Sequence, residues 1–280
     1  MGSAIGRRLV QAGCIVLTNL NGRSDATRRR AEEAGMRDAS YTEMARKARW
    51  ILSVLPPKDA KTFATTFLEQ AAGRDKSLPL AFADCNAISP RSVKEIAALF
   101  DGSGISFIDA GIIGLPNNPK IYASAEDNDV LEQFASLNKH GLNIETLKGP
   151  GVGIGDASAL KMSYAGMTKG VIGVFTTMIL AAHGSSPATA DALLRELHAS
   201  QPMFVERITK VVPGMMPKAY RWVGEMREIK EFVGEGEGEI YEGLARLYER
   251  IEKSINEQSE DGDIAALKDF VSKAKDIMKE

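Results

Sequence analysis

Residue types that bind a phosphate group follow the strand predicted at Cys14–Thr18. Asn19, Arg23 and Ser24 come soon after it. At this place in a dinucleotide-binding fold, an acidic side chain accepts the ribose hydroxyls of NAD, whereas Arg and Ser suit the additional 2′-phosphate of NADP. If the chain has such a fold, the pattern favours NADP over NAD, with Arg23 as the partner of the phosphate. Two alternatives stay open: Arg23 and the Arg28–Arg30 run form a solvated helix face, or Asn19 serves a ribose without a phosphate.

The cysteines and histidines form no pattern typical of a metal site or a disulfide framework. Cys14 and Cys85 are far apart and match no thiolate zinc spacing. His140, His183 and His198 are scattered without ligand spacing. We therefore predict no metal site, and we expect both thiols to stay reduced.

The composition argues against several classes of protein. The 280 residues are 44% apolar and 26% charged, as in a soluble protein large enough for two domains. Basic side chains number 35 against 37 acidic ones, so the formal charge of −2 gives no chain-wide basic field for nucleic acid. The most apolar stretch, Gly170–Ala182, is shorter than the ~18 unbroken apolar residues of a membrane span. We expect a cytoplasmic protein with neither nucleic-acid nor membrane partners.

The first half of the chain alternates between helical and strand patterns. Trp50–Leu55, Leu80–Ala83 and Ile105–Asp109 are apolar without polar alternation, which is typical of parallel strands covered on both faces. The later part is helical almost throughout. The sequence thus predicts a doubly wound α/β domain over residues 1–150 and an all-helical domain over residues 151–280.

Several short motifs resemble those of one enzyme family. Leu52–Pro57 (LSVLPP) is an apolar strand ending in Leu-Pro, Asp84–Pro90 resembles D-x-S/T-x-x-x-P, and Phe107–Ala110 resembles F-x-D-A. Three alternate glycines in Gly151–Gly155 approach Lys161. The sequence resembles the β-hydroxyacid dehydrogenases, related to 3-hydroxyisobutyrate and 6-phosphogluconate dehydrogenases, in the branch with a divergent helical C-terminal domain. The resemblance is good to about Gly170 and loose beyond it.

This resemblance implies a Rossmann-like nucleotide-binding domain. The family opens with a strand and G-x-G-x-M-G, and Gly2 would occupy the third glycine, where a helix N-terminus faces the pyrophosphate. Leu55 and Pro56, at the end of an apolar strand, and Asn86 are expected to line the cofactor.

The opening strand of that motif is missing from the sequence, which begins at Met1. In the family it lies at the centre of the sheet, so its neighbours must close a gap or leave ladder groups unpaired. We expect the chain to be an N-terminally shortened form. The alternative is a natural relative that tolerates the loss.

Lys161 is the residue that the resemblance implies as catalytic. The family's lysine hydrogen-bonds the reacting oxygen and relays its proton during hydride transfer. Asp156 is the expected N-cap of its helix, and Tyr164 and Ala165 share its face. The alternative is a lysine that extends from the helix to solvent.

Two departures from the family alter the expected substrate pocket. Ile113, before Gly114, replaces a serine that holds the substrate carboxylate, and Ala165 replaces an asparagine. Both changes remove polar contacts, so a bulkier or less charged hydroxy or keto compound fits better. Tyr164 or Ser163 could supply the hydrogen bonds instead.

In the helical domain, Lys218–Met226 concentrates aromatic and charged residues. Because helical domains of this family dimerise and complete the cleft, we expect a homodimer through this domain. Arg221 could hold a substrate anion. Core packing with a surface ion pair is the alternative.

Together these patterns indicate an oxidoreductase that transfers hydride between NADP and a hydroxy acid, an alcohol or a carbonyl compound. One alternative is an imine reductase on the same scaffold, although Lys161 counts against it. The other is a non-catalytic or truncated dinucleotide-binding relative, which the missing strand, Ile113 and Ala165 favour.

Overall fold

The computed structural model describes residues 1–257 and 262–279, which form two compact units. The first unit is Met1–Met162 and the second is Ser163–Glu280. The division falls inside the helix Asp156–Ser185 rather than between residues 150 and 151. The first turn of this helix is hydrogen-bonded to strands of the first unit, so it folds with them.

The N-terminal unit alternates strands and helices as the sequence predicts. Its strands are β1 (Leu17–Thr18), β2 (Arg37–Asp38), β3 (Trp50–Ser53), β4 (Ala81–Asp84), β5 (Ser106–Ile113), β6 (Lys120–Ser124) and β7 (Ile144–Thr146). Its helices are α1 (Gly2–Gln11), α2 (Asp25–Glu33), α3 (Tyr41–Lys47), α4 (Ala60–Ala71), α5 (Pro90–Ala98) and α6 (Asn128–Ala135), and α7 (Asp156–Ser185) begins here.

Five strands form the main sheet, in the order β3-β4-β5-β6-β7. The β3–β4, β4–β5 and β6–β7 pairs are parallel, which confirms the α/β class. The β5–β6 pair is antiparallel, a direction that the apolar pattern of the strands does not indicate. The reason is the connection over residues 114–119, which is too short for a crossover between parallel strands.

Strands β1 and β2 pair with each other in parallel but form a separate two-stranded sheet. Within the described ranges, no ladder joins this pair to β3. The two ladders are therefore separate. Side-chain packing from α1 supports the pair: a Cβ at Gly35 would lie 2.9 Å from Val10 Cγ1, and one at Gly6 would lie 2.5 Å from Met36 Sδ.

The main sheet is buried on both faces. All four residues of β4 are buried, and successive side chains point to opposite faces. Phe82 packs with Phe67 and Phe100 in one apolar cluster, whereas Ala83 belongs to a second cluster with Phe134. This double burial explains why the strands lack polar alternation.

The C-terminal unit is helical throughout its described residues, as predicted. After α7 it contains α8 (Pro187–Ser200), α9 (Pro202–Met215), α10 (Ala219–Val233), α11 (Glu239–Glu257) and α12 (Asp263–Ile277). The fully buried Tyr248 of α11 donates its hydroxyl to the Lys169 carbonyl at 2.7 Å and lies edge-on to Trp222, with 5.2 Å between ring centroids.

Helix α7 is apolar enough to pass a test for a membrane span by length and composition. Its most apolar 18-residue window has a mean hydropathy of 1.4, and 44% of that window is buried within the protein. A core helix of a globular protein passes the same test. The sequence-based expectation of no membrane partner stays a prediction.

Candidate active site at the carboxyl edge of the sheet

The carboxyl ends of β3 and β4 are tied together by the side chain of Asn86. Its Nδ2 donates to Ser53 Oγ at 2.8 Å, and its Oδ1 accepts from the Leu55 backbone N–H at 2.6 Å. Because the carboxamide is buried and both of its ends are engaged, Asn86 shapes this edge. Its place at the edge beside Leu55 keeps Asn86 among the residues expected to line the cofactor, and that role stays a prediction.

The helix α1 begins at the same edge. A Cβ at Gly2 would lie 3.8 Å from Val54 Cβ, so the N-terminus of α1 lies beside the residue that precedes Leu55. Leu55 is half-buried and Pro56 is exposed. Three residues expected to bind the cofactor therefore lie around one end of β3, where ligands bind in open α/β sheets.

The predicted phosphate-binding residues surround the start of α2. Asn19 Nδ2 donates to the Ala39 carbonyl at 2.9 Å and so links the segments after β1 and β2. Ser24 caps α2, with its side chain accepting from the Thr27 N–H. Arg23 is exposed, and among the described residues its guanidinium has no protein partner. A cation beside a helix N-terminus suits a phosphate.

The start of α7 is held by a carboxylate from β5. Asp109 is fully buried, and its Oδ2 accepts from the backbone N–H groups of Gly155 at 2.9 Å and Ser158 at 3.0 Å. Its Oδ1 accepts from Ser158 Oγ at 2.7 Å. Ser124 of β6 donates its hydroxyl to Asp109 Oδ2 at 3.3 Å and accepts from the Ala157 N–H at 3.1 Å.

Asp156 is therefore not the N-cap expected from the sequence. It is the first residue of α7, and its carboxylate accepts from the Gly153 N–H at 2.9 Å. The acceptor for the N–H groups of Gly155 and Ser158 is supplied from β5 instead, by a residue distant in sequence.

Lys161 lies against the carboxyl end of β5, one turn into α7. Its Nζ donates to the Ile112 carbonyl at 2.6 Å, and the residue is half-buried. Gly111 permits this approach, since a Cβ there would lie 2.9 Å from the Ala157 carbonyl oxygen and 3.0 Å from Lys161 Cβ. The amine thus lies at the strand end rather than in bulk water.

The expected substrate residues divide between the two units. Ile113 is half-buried at the end of β5, and Gly114 follows with φ +102°, a conformation that favours glycine. In the helical unit, Tyr164 and Arg221 are exposed, whereas Ala165 is 2% exposed and offers little surface to a ligand.

Two buried carboxylates are register partners in the main sheet, Asp84 of β4 and Asp109 of β5. Asp84 Oδ1 accepts from the Asn86 N–H at 2.9 Å, whereas its Oδ2 has no hydrogen-bond partner in the part of the chain that the structure describes. Burial, with the nearby Asp109 charge as a smaller cause, raises the pKa of Asp84 to about 7. Burial also raises the pKa of Asp109, opposed by its hydrogen bonds to Ser158, Gly155 and Ser124.

Sequence reasoning noticed the motifs around Asp109 and Asn86 but missed what these side chains do. It also missed Gly111, Ser124 and Ser158. A usable signal was a buried strand ending in Asp-Ala-Gly, because an acidic residue at a strand position needs hydrogen-bond donors and a glycine marks close approach.

Residues 1–119 match the family described as the NAD binding domain of 6-phosphogluconate dehydrogenase. Most of the N-terminal unit is thus similar to this family of NAD-binding domains. Residues 185–251 match a domain of unknown function, DUF1932, which lies in the helical unit that follows the NAD-binding domain. The two matches confirm the family resemblance and the fold class. A comparison with curated protein sequences gave no match.

Solved structures with the same NAD-binding and helical architecture have low sequence identity to this chain. The conserved protein MTH1747 of unknown function, described as similar to 3-hydroxyacid dehydrogenases, is 26% identical, with coverage of 90% of this chain and 93% of its own and a TM-score of 0.63. A 3-hydroxyisobutyrate dehydrogenase from Salmonella typhimurium is 18% identical, with coverage of 95% of this chain and 95% of its own and a TM-score of 0.60. An imine reductase from Myxococcus stipitatus in complex with NADP+ is 17% identical, with coverage of 97% of this chain and 96% of its own and a TM-score of 0.52. The last two show a shared fold only.

The raised pKa of Asp84 predicts a stability that falls as pH rises. The native state keeps a proton on Asp84 that the unfolded chain releases between the ordinary pKa of 3.8 and about 7, so the free energy of unfolding decreases across this window. Between about pH 4 and pH 7, we expect the free energy of unfolding of wild type to fall by one to a few kcal/mol relative to that of Asp84→Asn. A pKa shift of one unit corresponds to ~1.4 kcal/mol.

The measurement is urea denaturation at several pH values. Trp50 of β3 reports on the NAD-binding domain when Trp222 is replaced by Phe in both proteins. If the free energies of unfolding of wild type and Asp84→Asn change in parallel with pH, the raised pKa of Asp84 is contradicted.

Proposed function

We propose that this protein is an oxidoreductase that transfers hydride between NADP and a hydroxy acid, an alcohol or a carbonyl compound, with Lys161 as the proton relay. The observation that carries the proposal is the hydrogen bond from Lys161 Nζ to the Ile112 carbonyl, because it holds an amine at the edge of a NAD-binding sheet.

A bound nicotinamide supplies the hydride chemistry, and the protein's part is to move a proton and orient the substrate. In the oxidation direction, the Lys161 amine takes the proton of the substrate hydroxyl. In the reduction direction, its ammonium donates a proton to the oxygen of the former carbonyl. The Ile112 carbonyl restrains Nζ between these events.

The residues around the end of β3 support a nicotinamide dinucleotide as the cofactor. The N-terminus of α1 at Gly2 lies beside Val54, so its backbone N–H groups are available to a pyrophosphate at the sheet edge. We assign the 2′-phosphate to Arg23, whose exposed guanidinium lies next to the N-terminus of α2. This assignment favours NADP over NAD.

The substrate class follows from the apolar end of β5. Ile113 stands where a hydroxyl would help to hold a carboxylate, and its half-buried side chain offers only apolar contact. We therefore propose a substrate that is bulkier or less charged than a small hydroxy acid. Tyr164, which is exposed on α7, is the candidate for a substitute hydrogen bond.

We further propose that the protein is a homodimer through its helical unit. Met167, Val171, Val174 and Met178 form an apolar stripe at helical spacing on α7, with Met167 73% exposed and Met178 55% exposed. Spacings of three and four residues are typical of a helix face that packs against another helix.

Replacing Lys161 should abolish turnover without loss of cofactor binding. In a panel of hydroxy and carbonyl compounds with NADP(H), we expect Lys161→Met to lower kcat by about 10²–10⁴-fold, the usual contribution of general acid–base catalysis. The Kd for NADPH, measured by its fluorescence, should stay the same. Lys268→Met, which removes an exposed lysine from α12, is the control.

Unchanged turnover in Lys161→Met would refute the relay. Binding of NADPH by wild type without turnover of any compound in a broad panel would instead favour a non-catalytic dinucleotide-binding protein.

Arg23→Ala should remove the preference for NADP. Loss of a charge-assisted hydrogen bond of ~1.5–3 kcal/mol predicts a weaker Kd for NADPH by about 10- to 100-fold, with the Kd for NADH unchanged. Arg30→Ala is the control, since Arg30 lies near the end of α2, the helix that Arg23 precedes, and donates to Thr27 Oγ1 at 2.9 Å. An intact NADP preference in Arg23→Ala would remove Arg23 from the site.

The double variant Met167→Glu/Val174→Glu should be monomeric, because it buries two carboxylates in the proposed helix interface. Sedimentation equilibrium measures the mass of wild type and variant. Met203→Glu, at a side chain 75% exposed on α9, should stay dimeric. A monomeric wild type, or a double variant that still dimerises, would contradict the proposal.

A further inference from the structure

The carboxylate of Asp109 accepts hydrogen bonds from the first turn of α7, the turn that precedes Lys161. We infer that Asp109 is the positioning residue for Lys161, an inference that rests on the role proposed for this lysine. It concerns how the amine is held, and it assigns no contact between Asp109 and substrate.

The start of α7 needs hydrogen-bond acceptors. The first N–H groups of an α-helix have no partner within the helix. Asp109 Oδ2 takes the N–H groups of Gly155 and Ser158, and Ser124 Oγ takes that of Ala157. Negative charge at this end also stabilises the helix dipole.

One short segment of β5 fixes the helix at three points. Asp109 binds the N–H and hydroxyl of Ser158, Gly111 lets Ala157 and Lys161 approach the strand, and the Ile112 carbonyl accepts from Lys161 Nζ. Ser158 and Lys161 are three residues apart and share a helix face. Because the contacts at Ser158 and Lys161 lie at the two ends of this turn, they fix the rotation of the helix and its position along β5.

The neighbouring acidic side chain, Asp84, has no described hydrogen bond to α7. Asp84 is the register partner of Asp109 and is equally buried, but its Oδ1 accepts from the Asn86 N–H. No described hydrogen bond joins Asp84 to α7. Asp84→Asn therefore removes a buried carboxylate from the same place in the sheet without touching the helix, which makes it the matched control for Asp109.

The test is the reactivity of individual lysines in the full-length protein. Trace acylation with acetic anhydride, followed by mass spectrometry, gives the labelling of Lys161 relative to Lys120 and to Lys268, which is exposed on α12, in the same molecule. We expect Asp109→Asn to raise relative labelling of Lys161 by roughly fivefold, the equilibrium effect of losing about one hydrogen bond. Asp109→Ala should raise it further, because Asn keeps one oxygen for the two backbone N–H groups.

Two further variants keep the inference falsifiable. Asp84→Asn should label like wild type. Ser158→Ala, which loses only the hydroxyl bond to Asp109 Oδ1, should raise Lys161 labelling by less than Asp109→Asn does and decides the matter if the Asp109 variants do not fold. Wild-type labelling in every folded variant of Asp109 and Ser158, or an equal rise in Asp84→Asn or at Lys120, would overturn the inference.

Labelling measures how accessible and how nucleophilic the Lys161 amine is, and it does not depend on turnover. This inference and the proposed function therefore fail separately. If Lys161→Met keeps full turnover, the proton relay is refuted whatever the labelling shows. If turnover depends on Lys161, Asp109→Asn should lower kcat and leave the Kd for NADPH unchanged. A lowered affinity for NADPH with unchanged kcat would contradict the positioning role.

Discussion

The candidate site depends on a buried carboxylate and a helix start that satisfy each other. Burying an unpaired charge costs several kcal/mol, and the first N–H groups of a helix also need partners. Asp109 and the start of α7 meet both needs at once, with Ser124 and Ser158 completing the set. Because neither partner is stable in this place without the other, the helix that carries Lys161 is fixed against β5.

Most of the fold of the N-terminal unit can be predicted from the sequence, because its strands are buried on both faces. Phe82 and Ala83 pack into different clusters on opposite sides of β4, so no polar residue is tolerated between them. The direction of β6 could not be predicted from apolar pattern, which is the same for both directions. The short connection over residues 114–119 sets it instead.

The position of Lys161 was predictable, but the contacts that hold it were not. The glycines before it follow from the family resemblance, whereas the strand predicted at Ile105–Asp109 continues to Ile113 in the structure and so reaches Lys161. The partners of Asp109 lie 46 and 49 residues further along the chain, and no local pattern identifies them. Asn86 shows the same limit: its motif marks the sheet edge, yet its carboxamide is engaged by Ser53 and Leu55 rather than exposed to a ligand.

The separate β1–β2 pair has a mechanical consequence for the nucleotide site. Arg23 follows a two-strand ladder that is attached through side chains such as Val10 against Gly35, whereas Lys161 is anchored to the main sheet by hydrogen bonds. Apolar packing yields to small displacements more readily than a hydrogen-bonded ladder does. The segment that we propose to select the nucleotide is thus less tightly constrained than the strand end that holds the proposed proton relay.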